Sequence, residues 1–468
     1  MKKLRSILAL ILAFVMAFTF IACGNNQSGD DDATPTPSAE PTGTDEIDYS
    51  EGGKYLNLPG ATGGMEYRLP KFEFTSKEVV VMANSEIIRE DFDTFDPFYD
   101  AYELQYKTTI ASATDCITKF IALYMADDSP DVCLFNYETN LVNKGYLSNW
   151  LDYIDTELDL WADIRTSIEE SLFKGGLYGM AVSPSRGSYM IFYNKEIFEE
   201  LGVKTPDEYL EEGNWNWDTF TELVPQLTVD SDADGIPEIY GLSVDNPEFL
   251  AFTTGEEFVI VDGDNVINNM RSENVARGIN KFVDIVNMDG VSYAGDNRTP
   301  FGQGSIAMMQ APVWYRISCH DLIKRDALGL VPTPRDPQAD KYYIEETFGG
   351  MSLPSNAKNP WGAAAYVTSQ KFMKIANAND PEKRAELEAL TIEEQIEKTG
   401  WTVALEDKLN TIYAEEYYPV HVWASTFRIS TLLGDMYFRP LTGEPWATVV
   451  EEVYPAYQAI IEEALEAN

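Results

Sequence analysis

The N-terminal segment decides where folding can begin. Lys2, Lys3 and Arg5 precede an almost unbroken apolar run from Ile7 to Ala22, and Cys23 follows with Gly24, Asn25 and Asn26 behind it. A basic start, an apolar run too short for a comfortable membrane span and a small residue before the cysteine read as an export signal. Phe20-Ile21-Ala22-Cys23 has the form of a lipobox, with Phe20 where leucine is usual. Residues 1–22 are therefore expected to be removed and Cys23 to be lipidated, anchoring the chain to the outer face of the bacterial cytoplasmic membrane. A plain transmembrane anchor is the alternative.

From Gly24 to about Ser50 the chain is Asn, Ser, Asp, Thr, Pro and Gly with almost nothing to bury, and Thr34-Pro35-Thr36-Pro37 favours extended geometry. Residues 23–76 read as a tether with a lead-in, and folded sequence is expected from Lys77. Roughly 390 residues remain, enough for two sizeable domains.

Charge narrows the partners. The chain carries 77 Asp plus Glu against 34 Lys plus Arg, and losing Lys2, Lys3 and Arg5 takes its net charge from -43 to about -46. Nucleic acid and anionic membrane surfaces need local positive charge, so neither is expected as a partner. Beyond Cys23 stand Cys116, Cys133 and Cys319, an odd number without Cys-x-x-Cys spacing, so no disulfide framework or zinc ribbon is indicated. Cys133 lies in an apolar run and reads as buried; one pair could still form a bridge.

Short apolar runs alternate with amphipathic ones. Val79 to Ala83 reads as a buried strand, Asp96-Pro97 as a helix start with Phe98, Tyr102 and Tyr106 at helical spacing, and Thr108 to Ala111 as a second strand. Ile117, Phe120, Ile121 and Tyr124 mark a second helix, and Pro130 to Phe135 a third strand. Such alternation predicts an α/β fold with a mostly parallel sheet covered on both faces. Ligands of these sheets sit beyond the carboxyl ends of strands, which points to Asn84-Ser85 and Asn136-Tyr137. Further on, Gly176 to Lys195 reads as a crossing between domains, Asp218 as a cap for a helix over 219–227, Ser305 to Met309 as a strand and Trp446 as the start of a final helix.

Asp230-x-Asp232-x-Asp234-Gly235-x-x-Glu238 places oxygen ligands as an EF-hand loop does, although Gly241 stands where the bidentate acid belongs. No cofactor is required by this reading; Asp230, Asp232, Asp234 and Glu238 are candidate ligands for a structural calcium, and an acidic surface turn is the alternative. With His320 and His421 the only histidines and no hydrolase, zincin or Walker motif, no catalytic residue is indicated.

Pro130-Asp131-Val132 followed by Gly145-Tyr146-Leu147, Tyr178-Gly179, Tyr193-Asn194-Lys195 with Gly202, and Trp217-Asp218-Thr219-Phe220 occur in that order. Phe301, Gly304 and Ala307-Met308 leading into Trp314, then Pro332, Pro334, Gly349-Gly350 and Trp446 complete a series running from about residue 78 to 465. In this the chain resembles the extracellular solute-binding lipoproteins of bacterial ABC importers, the maltose-binding-protein-like family. The resemblance implies a two-lobed periplasmic-binding-protein-like fold of class II type, with hinge crossings and a central cleft. Lobe 1 would be residues 77–189 plus 349–400 and lobe 2 residues 190–348 plus 401–468, with crossings near Ser188–Tyr193 and Glu346–Met351. It further implies a monomeric receptor that binds a sugar and delivers it to ABC permease subunits. Asn84, Ser85, Asn136, Tyr137, Ser185, Arg186, Trp314, Tyr315, Gly350 and Trp423 fall at the matching ligand-binding positions, Trp314 after Ala311-Pro312-Val313 where the family has Gly-Pro-Trp. Trp215, Trp361 and Trp446 read as packing residues. An extracellular carbohydrate-active enzyme, or a binding lobe for a peptide or other polar solute, are the alternatives.

Overall fold

The computed structural model describes residues 55–57, 66–68, 72–85, 104–112, 114–183, 185–186, 189–245, 247–288, 290–379, 381–413, 417–427, 436 and 439–466. The export signal, Cys23, the proline-rich tether and the helix start at Asp96-Pro97 lie outside them. Tyr55–Asn57 and Glu66–Arg68 pair as a short antiparallel ladder. The buried sequence begins at Phe72, slightly ahead of Lys77.

The first sheet has Glu78–Ala83 at its centre, parallel to Gln105–Ile110 on one side and Val132–Cys133 on the other. Val79, Val81 and Met82 are buried, as a strand covered on both faces requires. The second strand begins at Gln105, so Tyr106 sits in it rather than in a helix; its ring meets Tyr366 edge-on at 5.2 Å. Alternating burial along this edge strand gives it little apolar periodicity of its own. The helix Cys116–Met125 buries Phe120 where the apolar spacing placed it. Cys133 then bridges to Ser352, and Met180 to Met351, so residues returning late in the chain extend this sheet.

A second, mixed sheet orders Ser292–Tyr293, Tyr240–Val244, Ile306–Pro312, Tyr189–Asn194 and Leu328–Val331. Ile306–Pro312 is wholly buried at its centre and ends three residues beyond the expected Met309. Tyr189–Asn194 already belongs to this sheet, antiparallel to both neighbours, so the domain crossing precedes it. Asn216, not Asp218, caps the helix Trp217–Gln226, its side chain accepting from the Asp218 and Thr219 amides. The helix Ile392–Thr399, which lay within the expected first lobe, buries Ile396 in the core beneath this second sheet.

Between the sheets runs a three-stranded hinge. Tyr342–Thr347 is central, parallel to Tyr417–His421 and antiparallel to Ser185–Arg186 through Glu346↔Arg186 and Thr347↔Ser185. Beside it, Phe173 packs into a core with Trp423, Phe427 and the C-terminal helix Trp446–Leu465. Thr139 Oγ1 reaches the Thr426 carbonyl and Lys174 Nζ the Leu465 carbonyl, so the end of the chain is tied back to its first part. Trp215 and Trp446 are buried, and Trp361 is partly so against Tyr153, as packing residues should be. Cys116, Cys133 and Cys319 are all free thiols. Among the described residues no helix is long and apolar enough to cross a membrane.

Candidate functional site

Parallel strands of a sheet share one carboxyl edge, and loops leaving that edge are where an α/β fold gathers ligand groups. On the first sheet this edge carries Asn84 and Ser85, both exposed, and exposed Asn136. Gly349 and Gly350 approach the same place with φ of 144° and 100°, a region open to glycine. A Cβ on Gly350 would stand 3.8 Å from Asn136 Oδ1, and one on Gly179 would meet the Tyr137 ring at 2.8 Å. Tyr137 itself is buried, 6.2 Å from the Tyr178 ring, and its hydroxyl has no hydrogen-bond partner. Burial holds that phenol well above its ordinary range. Asn136, Tyr137 and Gly350 thus come together as one rim.

The second sheet carries the other candidate residues. Trp314 follows the strand Ile306–Pro312 and is 47% exposed, edge-on to Tyr315 with ring centroids 4.4 Å apart. Tyr315 is buried, and its hydroxyl donates to Asp245 Oδ1 at 2.9 Å. Arg298 lies 5.6 Å from the Tyr315 centroid and is held by Asp296. Burial raises the Asp245 carboxyl and the Tyr315 hydrogen bond opposes it. Tyr315 is therefore the support of Trp314 more than a surface of its own. Ser185 and Arg186 lie on the hinge strand, at the register given above. Trp423 is buried, 4.6 Å from His421 and 6.3 Å from Phe173, so its ring belongs to the core behind the hinge.

Sequence reasoning missed Asp245, Tyr189 and Glu345. Asp245 had a signal: it follows the apolar strand Tyr240–Val244 directly, at the edge where ligands are sought. Glu345 had none, because an acidic residue in a strand reads as surface. It is 2% exposed, and burial pushes its carboxyl up to about 8.

Elsewhere, carboxylate oxygens of Asp230, Asp232 and Glu238 lie within 4.8 Å of one another. Asp234 is not in that group; its Oδ1 accepts the Ile236 amide at 2.8 Å. Gly235 turns the loop at φ 84°, its amide donating to Asp230 Oδ2 at 3.0 Å. Behind the second sheet, a groove of about 590 Å³ lies among Lys195, Asp207, Arg384, Asp407 and Lys408.

The fold is similar to that of several solved sugar-binding proteins. The sugar-binding protein MalE from Xanthomonas citri aligns over 83% of this chain and 97% of its own, with a TM-score of 0.59 and 15% identity. An ABC substrate-binding protein from Listeria monocytogenes in complex with cycloalternan aligns over 82% and 98%, at 0.56 and 16%. The maltose/maltodextrin-binding domain MalE from Bdellovibrio bacteriovorus bound to maltotriose aligns over 82% and 99%, at 0.53 and 16%. A search of curated protein sequences gives no match. Residues 94–385 match the family described as bacterial extracellular solute-binding protein, well over half of the sequence, and the chain belongs to that family.

Proposed function

We propose that this protein is the receptor of an ABC importer, holding an oligosaccharide in the cleft between its lobes and handing it to the permease subunits. The observation that carries this reading is Trp314, half exposed at the carboxyl edge of the second sheet and propped against a buried tyrosine. A ring fixed in that way offers a sugar face a flat apolar platform with little rotamer freedom left to lose. At the carboxyl edge of the first sheet, exposed Asn84, Ser85 and Asn136 supply amide and hydroxyl groups suited to sugar hydroxyls. Fold neighbours that hold cycloalternan and maltotriose support the same choice of solute. Cys23 carries the lipid anchor, the receptor works as a monomer, and none of its residues is assigned a catalytic role.

The loop at Asp230, Asp232 and Glu238 holds a structural calcium in this reading, because three converging carboxylate oxygens suit a hard divalent cation. The function is tested by thermal-shift screening against a glycan panel. A glycan at a hundredfold excess over its dissociation constant adds about 2.7 kcal/mol to stability. Stabilisation by a glycan that is recovered intact supports the receptor; release of product would place the protein among carbohydrate-active enzymes.

A further inference from the structure

At the hinge end of the second sheet, the buried phenol of Tyr189 feels three acidic side chains. Burial holds the Tyr189 hydroxyl above its ordinary range, and Asp245, Glu248 and Glu345 all push in the same direction. Their elements meet because Tyr189 pairs with Pro312 at the sheet's edge, Asp245 follows the neighbouring strand, and Glu345 lies on the central hinge strand. The Tyr189 amide donates to Glu345 Oε1 at 2.8 Å. The other oxygen, Oε2, is buried and has no hydrogen-bond partner.

A buried carboxyl oxygen left without a donor carries its full desolvation cost until a proton or a cation reaches it. Among the described residues no lysine or arginine bonds Glu345 or Asp245. Arg298, whose charge is felt at Asp245, directs its guanidinium to Asp296 at 3.1 Å. Trp314 stands on Tyr315, whose hydroxyl is bonded to Asp245, so the sugar platform and the acidic floor are joined.

We propose that this floor selects a solute bearing a protonated amine, which takes up the orphaned oxygen of Glu345 and the charge of Asp245 while a sugar ring lies on Trp314. The solute class is then an amino-sugar oligomer, an identification that rests on the carbohydrate reading above. An ammonium brings three donors and a full positive charge to the floor and displaces to solvent the proton that burial otherwise keeps on Glu345, whereas a neutral sugar hydroxyl brings one donor and no charge to pair with Asp245. Opening of the lobes about the hinge strand gives the amine its way in.

The test is calorimetric titration of the full chain with glucosamine tetramers in α and β linkage, glucose tetramers of the same linkages, and spermidine. The expected result is a glucosamine tetramer bound at least tenfold tighter than its neutral counterpart. Glu345→Gln should remove that preference while the melting temperature shows a folded protein, and Asp245→Asn should reduce it. Neutral tetramers bound as tightly as the amino ones would overturn the proposal and leave the carbohydrate reading standing. Spermidine bound with no tetramer binding would overturn the carbohydrate reading and the amino-sugar proposal together.

Discussion

Replacing Trp314 by alanine removes the platform without touching a core. A tryptophan presents up to about 250 Å² to its surroundings, so the 47% left exposed amounts to about 120 Å². At about 25 cal/mol per Å², covering all of it contributes about 3 kcal/mol, and covering one face about half that. Trp314→Ala should therefore raise the dissociation constant of the bound glycan roughly ten- to hundredfold. Titration calorimetry reads the affinity, and a melting curve reads the fold, which should barely change. Trp446→Ala is the contrasting case: that ring is buried 6.3 Å from Phe258, and its loss should cost about 3 kcal/mol or more of stability. Normal glycan affinity in Trp314→Ala, or collapse of its fold, would move this ring from the glycan site to the core.

Three further outcomes are expected. Between pH 6.5 and 8 the melting temperature should fall, because burial raises Glu345 and Glu257 to about 8, so they stay protonated when folded yet ionise when unfolded. Their stabilisation is complete below about 4.5 and lost as pH rises through 8. His421, lowered to about 4 by burial, acts in the opposite sense only below about 6.5, and Glu345→Gln should flatten the upper slope. Chelation of calcium should lower the melting temperature by a few degrees, an effect Asp232→Ala should abolish; indifference to chelator would leave an acidic turn. Cys23→Ala should leave the protein unprocessed or released into the medium, and a membrane-bound protein with a mature N-terminus would contradict the lipobox.

The α/β character was legible because buried strands such as Val79–Ala83 and helices such as Cys116–Met125 carry their periods openly. Tyr106 misled because an edge strand with one wet face lacks a continuous apolar run, and three aromatics four residues apart imitate a helix. Asp218 misled for a different reason: Asn216 is two residues earlier and caps both first-turn amides. In the site, Trp314 could be read from its strand and neighbours, but exposure could not. Trp423 and Tyr137 have the same residue types as surface platforms and turn out buried, which depends on elements far away in sequence such as Phe173 and Gly179. The hinge sheet joins residues 186, 346 and 421, and no local signal can announce pairing across such distances.

In the proposed function a glycan lies between the lobes on Trp314. A crystal structure of the protein with the glycan that stabilises it most tests this directly. A sugar ring is expected on the exposed face of Trp314, its hydroxyls turned toward Asn84, Ser85 and Asn136. A glycan found elsewhere, for example in the groove among Lys195, Arg384 and Lys408, with Trp314 uncovered, would contradict it.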